Sequence, residues 1–181
     1  MAFSVNTAGN STSENAGKVR RFYVASAHAT FLAPGDQVQL TGSADTDGVA
    51  AVDALTASGQ QVAGIIASVE YQVVGENLSN TGLPAGSAGY VYVHTDPALW
   101  FLAPVANGPL VAADVGLNVN GTYTASTRVG GMSVSTQGVN ATGKATTATL
   151  QYRVQALLPD AAGVIGNVAL VSINNQTATG V

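Results

Sequence analysis

The chain has 181 residues, of which 9% are charged, with a formal net charge of −4 and a pI near 4.8. A soluble domain usually carries about 25% charged residues, and an acidic chain with six basic residues has no footprint for nucleic acid. The lack of cysteine excludes disulfides, thiol catalysis and cysteine-based metal sites.

No run approaches the ~18 apolar residues that a membrane helix requires. The first residues, MAFSVNTAGNSTSENAGK, lack the basic and then apolar layout of a signal peptide. The length suits one domain, or one domain with an arm. So few charges point to a surface that meets other protein. The alternative is a secreted or structural β-protein with a neutral, hydroxyl-rich surface.

Residues 1–18 are polar and without periodicity, which predicts an extended arm. Residues 19–181 read as a single β-rich domain. VRRFYVAS (19–26) opens it, beside the chain's one basic cluster of Lys18, Arg20 and Arg21. A turn at Pro34-Gly35 leads to Val38 and Leu40, which alternate with Gln37, Gln39 and Thr41 as a half-buried strand. SADTDG (43–48) is the next turn, followed by VAAVDAL. QVAGIIASVEYQVV (61–74) is the longest strand-like run, with Gly64 as a bulge or a close backbone approach. Residues 75–89 read as a long loop.

GYVYVH (89–94) is a strand that Asp96-Pro97 ends, and ALWFLAPV resumes the apolar pattern around Trp100. Residues 109–116 have room for one helical turn. Asn120-Gly121 is the strongest short hairpin signal. In residues 145–158, Leu150, Tyr152 and Val154 lie opposite Gln151, Arg153 and Gln155. LPDAAGVIG turns into a last strand, NVALVSINN. No amphipathic helix and no fixed-period repeat stand out. The prediction is an all-β fold of roughly ten strands, an antiparallel sandwich or barrel with an N-terminal arm.

The chemistry is sparse. His94 and Asp96 share a strand face, so the carboxylate is placed to orient the imidazole. Yet no G-x-S-x-G supplies a nucleophile, and Asp before Pro is ordinary turn chemistry. Asp45-Thr46-Asp47-Gly48 resembles the opening of a calcium loop, but no glutamate follows until Glu70. The expectation is no catalytic residue, no metal and no cofactor. Tyr90, Tyr92, Trp100 and Phe101 are read as core or subunit-interface aromatics, or as a platform for sugar.

The runs VAGIIASVEYQV, AGYVYVHTDPALWFLAPV, ADVGLNVNG, TATLQYRVQALLPD and VALVSINNQ, with LAPGDQVQLTGSADTDGVAAV before them, resemble the head cement or decoration proteins of tailed bacteriophages. The resemblance covers about residues 30–176 and leaves the arm and His94 outside the pattern. It implies a structural protein, made in the host cytoplasm, that binds the outer surface of an assembled capsid. Its partner is the major capsid protein and it often sits as a trimer between capsomers, with no enzymatic activity and no contact with nucleic acid or membrane. On this reading residues 1–22 and the 75–89 loop make the capsid contacts, with Lys18, Arg20, Arg21, Asn77 and Leu78 as candidates, and the β-body makes the trimer. The alternative is a β-sandwich module of a phage tail or cell surface that binds carbohydrate or a receptor through its aromatics.

Overall fold

The computed structural model describes residues 4–5, 19–70, 72–74, 77–79, 81–129 and 132–177. They form fifteen strands and one turn of 3-10 helix at Ala112–Asp114, so the all-β expectation holds with more and shorter strands than the pattern suggested. Of the predicted arm, the described part is β1 (Ser4–Val5); Lys18 lies outside the described residues.

β2 (Val19–Val24), β3 (Gln37–Ala44), β4 (Ala50–Ala54) and β5 (Gly64–Val69) come first in the body. The hairpin of β6 (Gln72–Val74) and β7 (Asn77–Ser79) follows, and then β8 (Gly89–His94). Strands β2-β4-β3-β5-β8 close a barrel. Its interior follows from period-2 alternation: Phe22 and Val24 on β2, and Val91 and Val93 on β8, are buried, while their neighbours face outward. With Val38, Val52 and Ile66 they form one apolar core, each side chain contributing about 1.5–3 kcal/mol when fully buried.

The second half holds β9 (Phe101–Ala106), β10 (Asn118–Gly121), β11 (Thr127–Val129), β12 (Met132–Val134), β13 (Val139–Ala145), β14 (Tyr152–Pro159) and β15 (Ile165–Ile173). The sheet runs β1-β9-β13-β10-β14-β15, and β15 pairs back onto β9. Five of its strands therefore close a second ring. The ring's core of Phe101, Val119, Val139, Tyr152, Val154 and Val171 also takes in Leu55, Val62 and Ile65 from the first half. The two halves thus share apolar packing.

The two rings repeat one design. In the barrel β2 pairs antiparallel with β8 and parallel with β4, β3 pairs antiparallel with β4 and β5, and β5 with β8. In the ring β9, β10, β13, β14 and β15 stand in the same order with the same five pairings and the same directions. The register agrees as well. Ile66 opposes Val93 beside a bulge on β5, and Val154 opposes Val171 beside a bulge on β14. Gly35 N–H donates to Ile66 O at 2.8 Å, and Gly116 N–H to Val154 O at 2.9 Å. The turn before each of these strands agrees too: the Asp36 N–H donates to Ala33 O and the Leu117 N–H to Asp114 O, each at 3.0 Å. The two parallel pairings make both sheets mixed rather than purely antiparallel.

Four local readings change. The 61–74 run is broken between β5 and β6, which pairs with β7 in a separate small sheet. Part of the predicted 75–89 loop is therefore strand. Asn120-Gly121 is no two-residue turn but the end of β10; a Cβ on Gly121 would stand 2.0 Å from Gln37 Oε1, so glycine here permits a close approach. Gln151, placed on the solvent side by alternation, is fully buried. Gly64 is the expected close approach, with a Cβ position 2.1 Å from His94 O.

Candidate interaction surface

The outward side of β2 and β8 carries the densest set of recognition side chains among the described residues. Register places Arg21 opposite Tyr92, and Tyr23 opposite Tyr90. The Arg21 guanidinium lies over the Tyr90 ring, 3.4 Å from its centroid. Its Nη2 donates to Glu70 Oε2 at 3.0 Å. The Tyr90 hydroxyl donates to Asp45 Oδ2 at 2.7 Å, and the Tyr23 ring stands 5.6 Å from that of Tyr90. Asp45 Oδ1 meanwhile accepts the N–H groups of Asp47 and Val49, which closes the β3–β4 turn.

Each link fixes its neighbour's charge. The Tyr90 hydroxyl, with the two turn N–H groups, holds the Asp45 carboxyl below its ordinary value, and Asp45 in turn raises the Tyr90 phenol. Glu70 raises the Arg21 guanidinium. An exposed ion pair contributes only about 0–1 kcal/mol to stability. Its consequence here is order: a long flexible arginine is held flat on an aromatic before any partner arrives.

The predicted site residues separate. Arg20 opposes Val93 on the inward side of β2, exposed at the end of the barrel, so Arg20 and Arg21 leave the strand in opposite directions. Asn77 and Leu78 pair with Val74 and Val73 in the β6–β7 hairpin, which begins two residues after Glu70 in the chain. Tyr90 and Tyr92 lie half-buried on that face. Phe101 is fully buried core, and Trp100 is half-buried just before β9.

His94 and Asp96 do not form a dyad. Asp96 Oδ1 accepts the Ala98 N–H at 2.9 Å and closes a turn. His94 Nδ1 is buried without a hydrogen-bond partner, its ring meets Phe101 edge-on at 6.2 Å, and burial lowers its pKa. It is a neutral packing group. The Asp45–Gly48 turn is held by Tyr90 and its own backbone, and no group of three or more potential metal ligands occurs among the described residues. A cleft of about 200 Å³ opens on the barrel beside Ala25, His28, Thr41, Ser43 and Asp53.

Sequence reasoning missed a buried polar seam between the two halves. Gln37 Nε2 donates to Thr122 O, and its Oε1 accepts the Tyr152 hydroxyl. The Gln37 N–H donates to Gln137 Oε1. Asp36 is buried and accepts from Ser126, Ser135 and the Ala33 N–H. The one available signal was the adjacent polar pair Asp36-Gln37 at the mouth of an apolar strand.

Burial raises Asp36 above the ordinary 3.8, outweighing its two serines. The folded state then holds this proton more tightly than the unfolded state, so Asp36 lends stability below 3.8 that is lost as pH rises through its folded pKa. Asp45, held mainly by Tyr90, and Asp160, held mainly by Asn167, are lowered and act in the opposite sense, losing stability as pH falls below 3.8. The Asp36 contribution should therefore raise the melting temperature on acidification toward 3.8, opposed by the lowered His94 below 6.5, and the lowered carboxyls, Asp114 among them, should make it fall below 3.8. In Asp36→Asn the rising limb should flatten while the falling limb stays, as measured by thermal melts across pH.

Compared with known proteins, the chain matches no family model, no curated protein and no solved structure. Among the described residues no helix is long and apolar enough to cross a membrane.

Proposed function

We propose that this chain is a cement protein of a tailed-phage head, seated on the outer surface of the capsid through the Arg21–Tyr90 face and the β6–β7 hairpin that follows Glu70 in the chain. The observation that carries the reading is the pre-ordered arginine on an aromatic, set in a chain with only 9% charged residues. Arginine and tyrosine dominate binding energy at protein interfaces, and an anchor ordered beforehand loses little entropy on docking. The sequence resemblance supplies the partner, the major capsid protein. Repetition of one modest contact over a symmetric shell gives retention by avidity. No catalytic step belongs to this reading.

The test is co-sedimentation of the full chain with capsids assembled from coat protein alone. Arg21→Ala removes the stacked cation and its ion pair at little cost to folding, and should weaken binding tenfold or more. Deleting residues 1–17 should also weaken it. Wild-type affinity in Arg21→Ala would remove this face from the interface. A chain that ignores capsids but whose Trp100 fluorescence shifts with glycans would return the alternative, carbohydrate-binding reading through its aromatics.

A further inference from the structure

Two Asn-Gly pairs occur in the chain, at Asn107-Gly108 and Asn120-Gly121. Asparagine is chemically labile, and a glycine after it has no side chain to keep its backbone nitrogen away from the carboxamide. By sequence the two pairs are alike, and the fold separates them.

Asn120-Gly121 is locked. It ends β10, which lies between β13 and β14 in the sheet. Gly121 is buried, and its N–H donates to Gln151 Oε1 at 2.9 Å. The peptide between the two residues turns only if the strand opens. Asn107-Gly108 is free to move. The pair directly follows β9, and Asn107, Gly108 and Pro109 are all exposed. Asn107 is the one non-glycine residue of positive φ among the described residues, at +63°, and Gly108 follows at +106°. A Cβ on Gly108 would meet nothing within 4 Å. Its N–H makes no hydrogen bond among the described residues. The Asn107 carboxamide is held at the surface by its Nδ2, which donates to Asn140 Oδ1 at 3.0 Å.

We infer that Asn107 is a site of spontaneous deamidation, whereas the fold protects Asn120. The Gly108 nitrogen attacks Asn107 Cγ. A bond forms between them, the Cγ–Nδ2 bond breaks, and ammonia leaves with the proton that Gly108 gives up. The product is a five-membered cyclic imide. Water then adds to one of its two carbonyl carbons and breaks that carbon's bond to the ring nitrogen, which regains a proton. Opening at the side-chain carbonyl gives aspartate. Opening at the main-chain carbonyl gives isoaspartate, with one more methylene in the backbone. Overall, water enters and ammonia leaves, and no oxidant or second protein takes part.

The product alters the parallel seam of the second ring. Asn140 opposes Ala106 there, and the Asn107 amide adds a side-chain tie next to that pairing. A carboxylate in its place has no N–H to donate. Asn140 cannot turn its own amide over to meet it without giving up the Thr142 N–H, which its Oδ1 accepts at 2.9 Å. The reaction therefore adds one negative charge to a chain of net charge −4 and removes a tie between the end of β9 and β13. Loss of ammonia makes the change one-way.

This inference stands apart from capsid binding. Its test is peptide mass spectrometry of the full chain, sampled over time in mildly alkaline buffer, beside an equal sample in denaturant. Conversion is read as the gain of one mass unit when an oxygen acid group replaces the amide. A buried strand reacts only from an opened state, so in the folded chain Asn107 should convert at least about tenfold faster than Asn120. In denaturant the gap should close. Equal rates in the folded chain would overturn the inference. So would a folded chain that keeps Asn107 intact while the denatured chain converts it. A gap that survives denaturation would place the difference in the neighbouring sequence and overturn the role given to the fold.

Discussion

Replacing Gln151 with leucine is expected to destabilise the fold by about 3 kcal/mol and to lower the melting temperature by about 6–12 °C. Leucine fits the volume and has no hydrogen-bonding groups. Gln151 is fully buried and uses its whole amide. Its Oε1 accepts the Gly121 N–H and the Tyr123 hydroxyl, and its Nε2 donates to Ala57 O and Gln60 O, each at 3.0 Å. One side chain thus ties the loop between β4 and β5 to the second ring. The Gly121 N–H, buried and orphaned, loses about 1–3 kcal/mol alone. Gln155→Leu is the control: that amide is half-buried with one bond, to Ser172 Oγ, and its loss should cost under about 1 kcal/mol. Equal melting of the two variants would show that the seam does not hold the halves together.

Gly64→Ala should be at least as damaging, at about 3 kcal/mol, by a different route. The new Cβ would sit 2.1 Å from His94 O and 2.6 Å from Val93 Cγ1. The first of these is backbone, so the β5–β8 seam must part and the barrel lose closure. In the second ring the place of Gly64 is taken by Tyr152, since Gly64 opposes Val38 as Tyr152 opposes Val119. The same design is filled there by a large side chain and here by none. Gly48→Ala separates crowding from conformation: its Cβ meets open space and only its φ of +81° is strained, a cost of about 1–2 kcal/mol. Chemical denaturation of both variants measures the difference, and equal stability would remove the steric account of the seam.

Strands whose burial alternates were readable from sequence. GYVYVH reads as β8 because valine and tyrosine alternate, and its valines are the buried set. The turn at Asp96-Pro97 and the helical turn within 109–116 were equally plain. The repeated design was not, for a physical reason. The halves share burial at equivalent places, such as Val38 with Val119, Val52 with Val139 and Val93 with Val171. They share almost no polar residue. The first inserts a hairpin between β5 and β8, the second between β10 and β13, so equivalent positions keep no constant spacing. Gln151 was misplaced because alternation assigns a side chain to a face, whereas its burial comes from a loop some ninety residues away, at Ala57 and Gln60. The Arg21–Tyr90–Asp45–Glu70 set was hidden likewise, its members being drawn from four separate parts of the chain. The exposed Val111 and Ile165 could not be told from core, because a sequence shows hydrophobicity and not exposure.

The central claim is that this chain belongs to the outer shell of a phage head. Its most direct test is the copy number of the chain relative to the major capsid protein in purified particles, by quantitative mass spectrometry. The account predicts many copies in a simple whole-number ratio to coat protein, as repeated seating on a symmetric surface requires. A handful of copies per particle, or none, would contradict it.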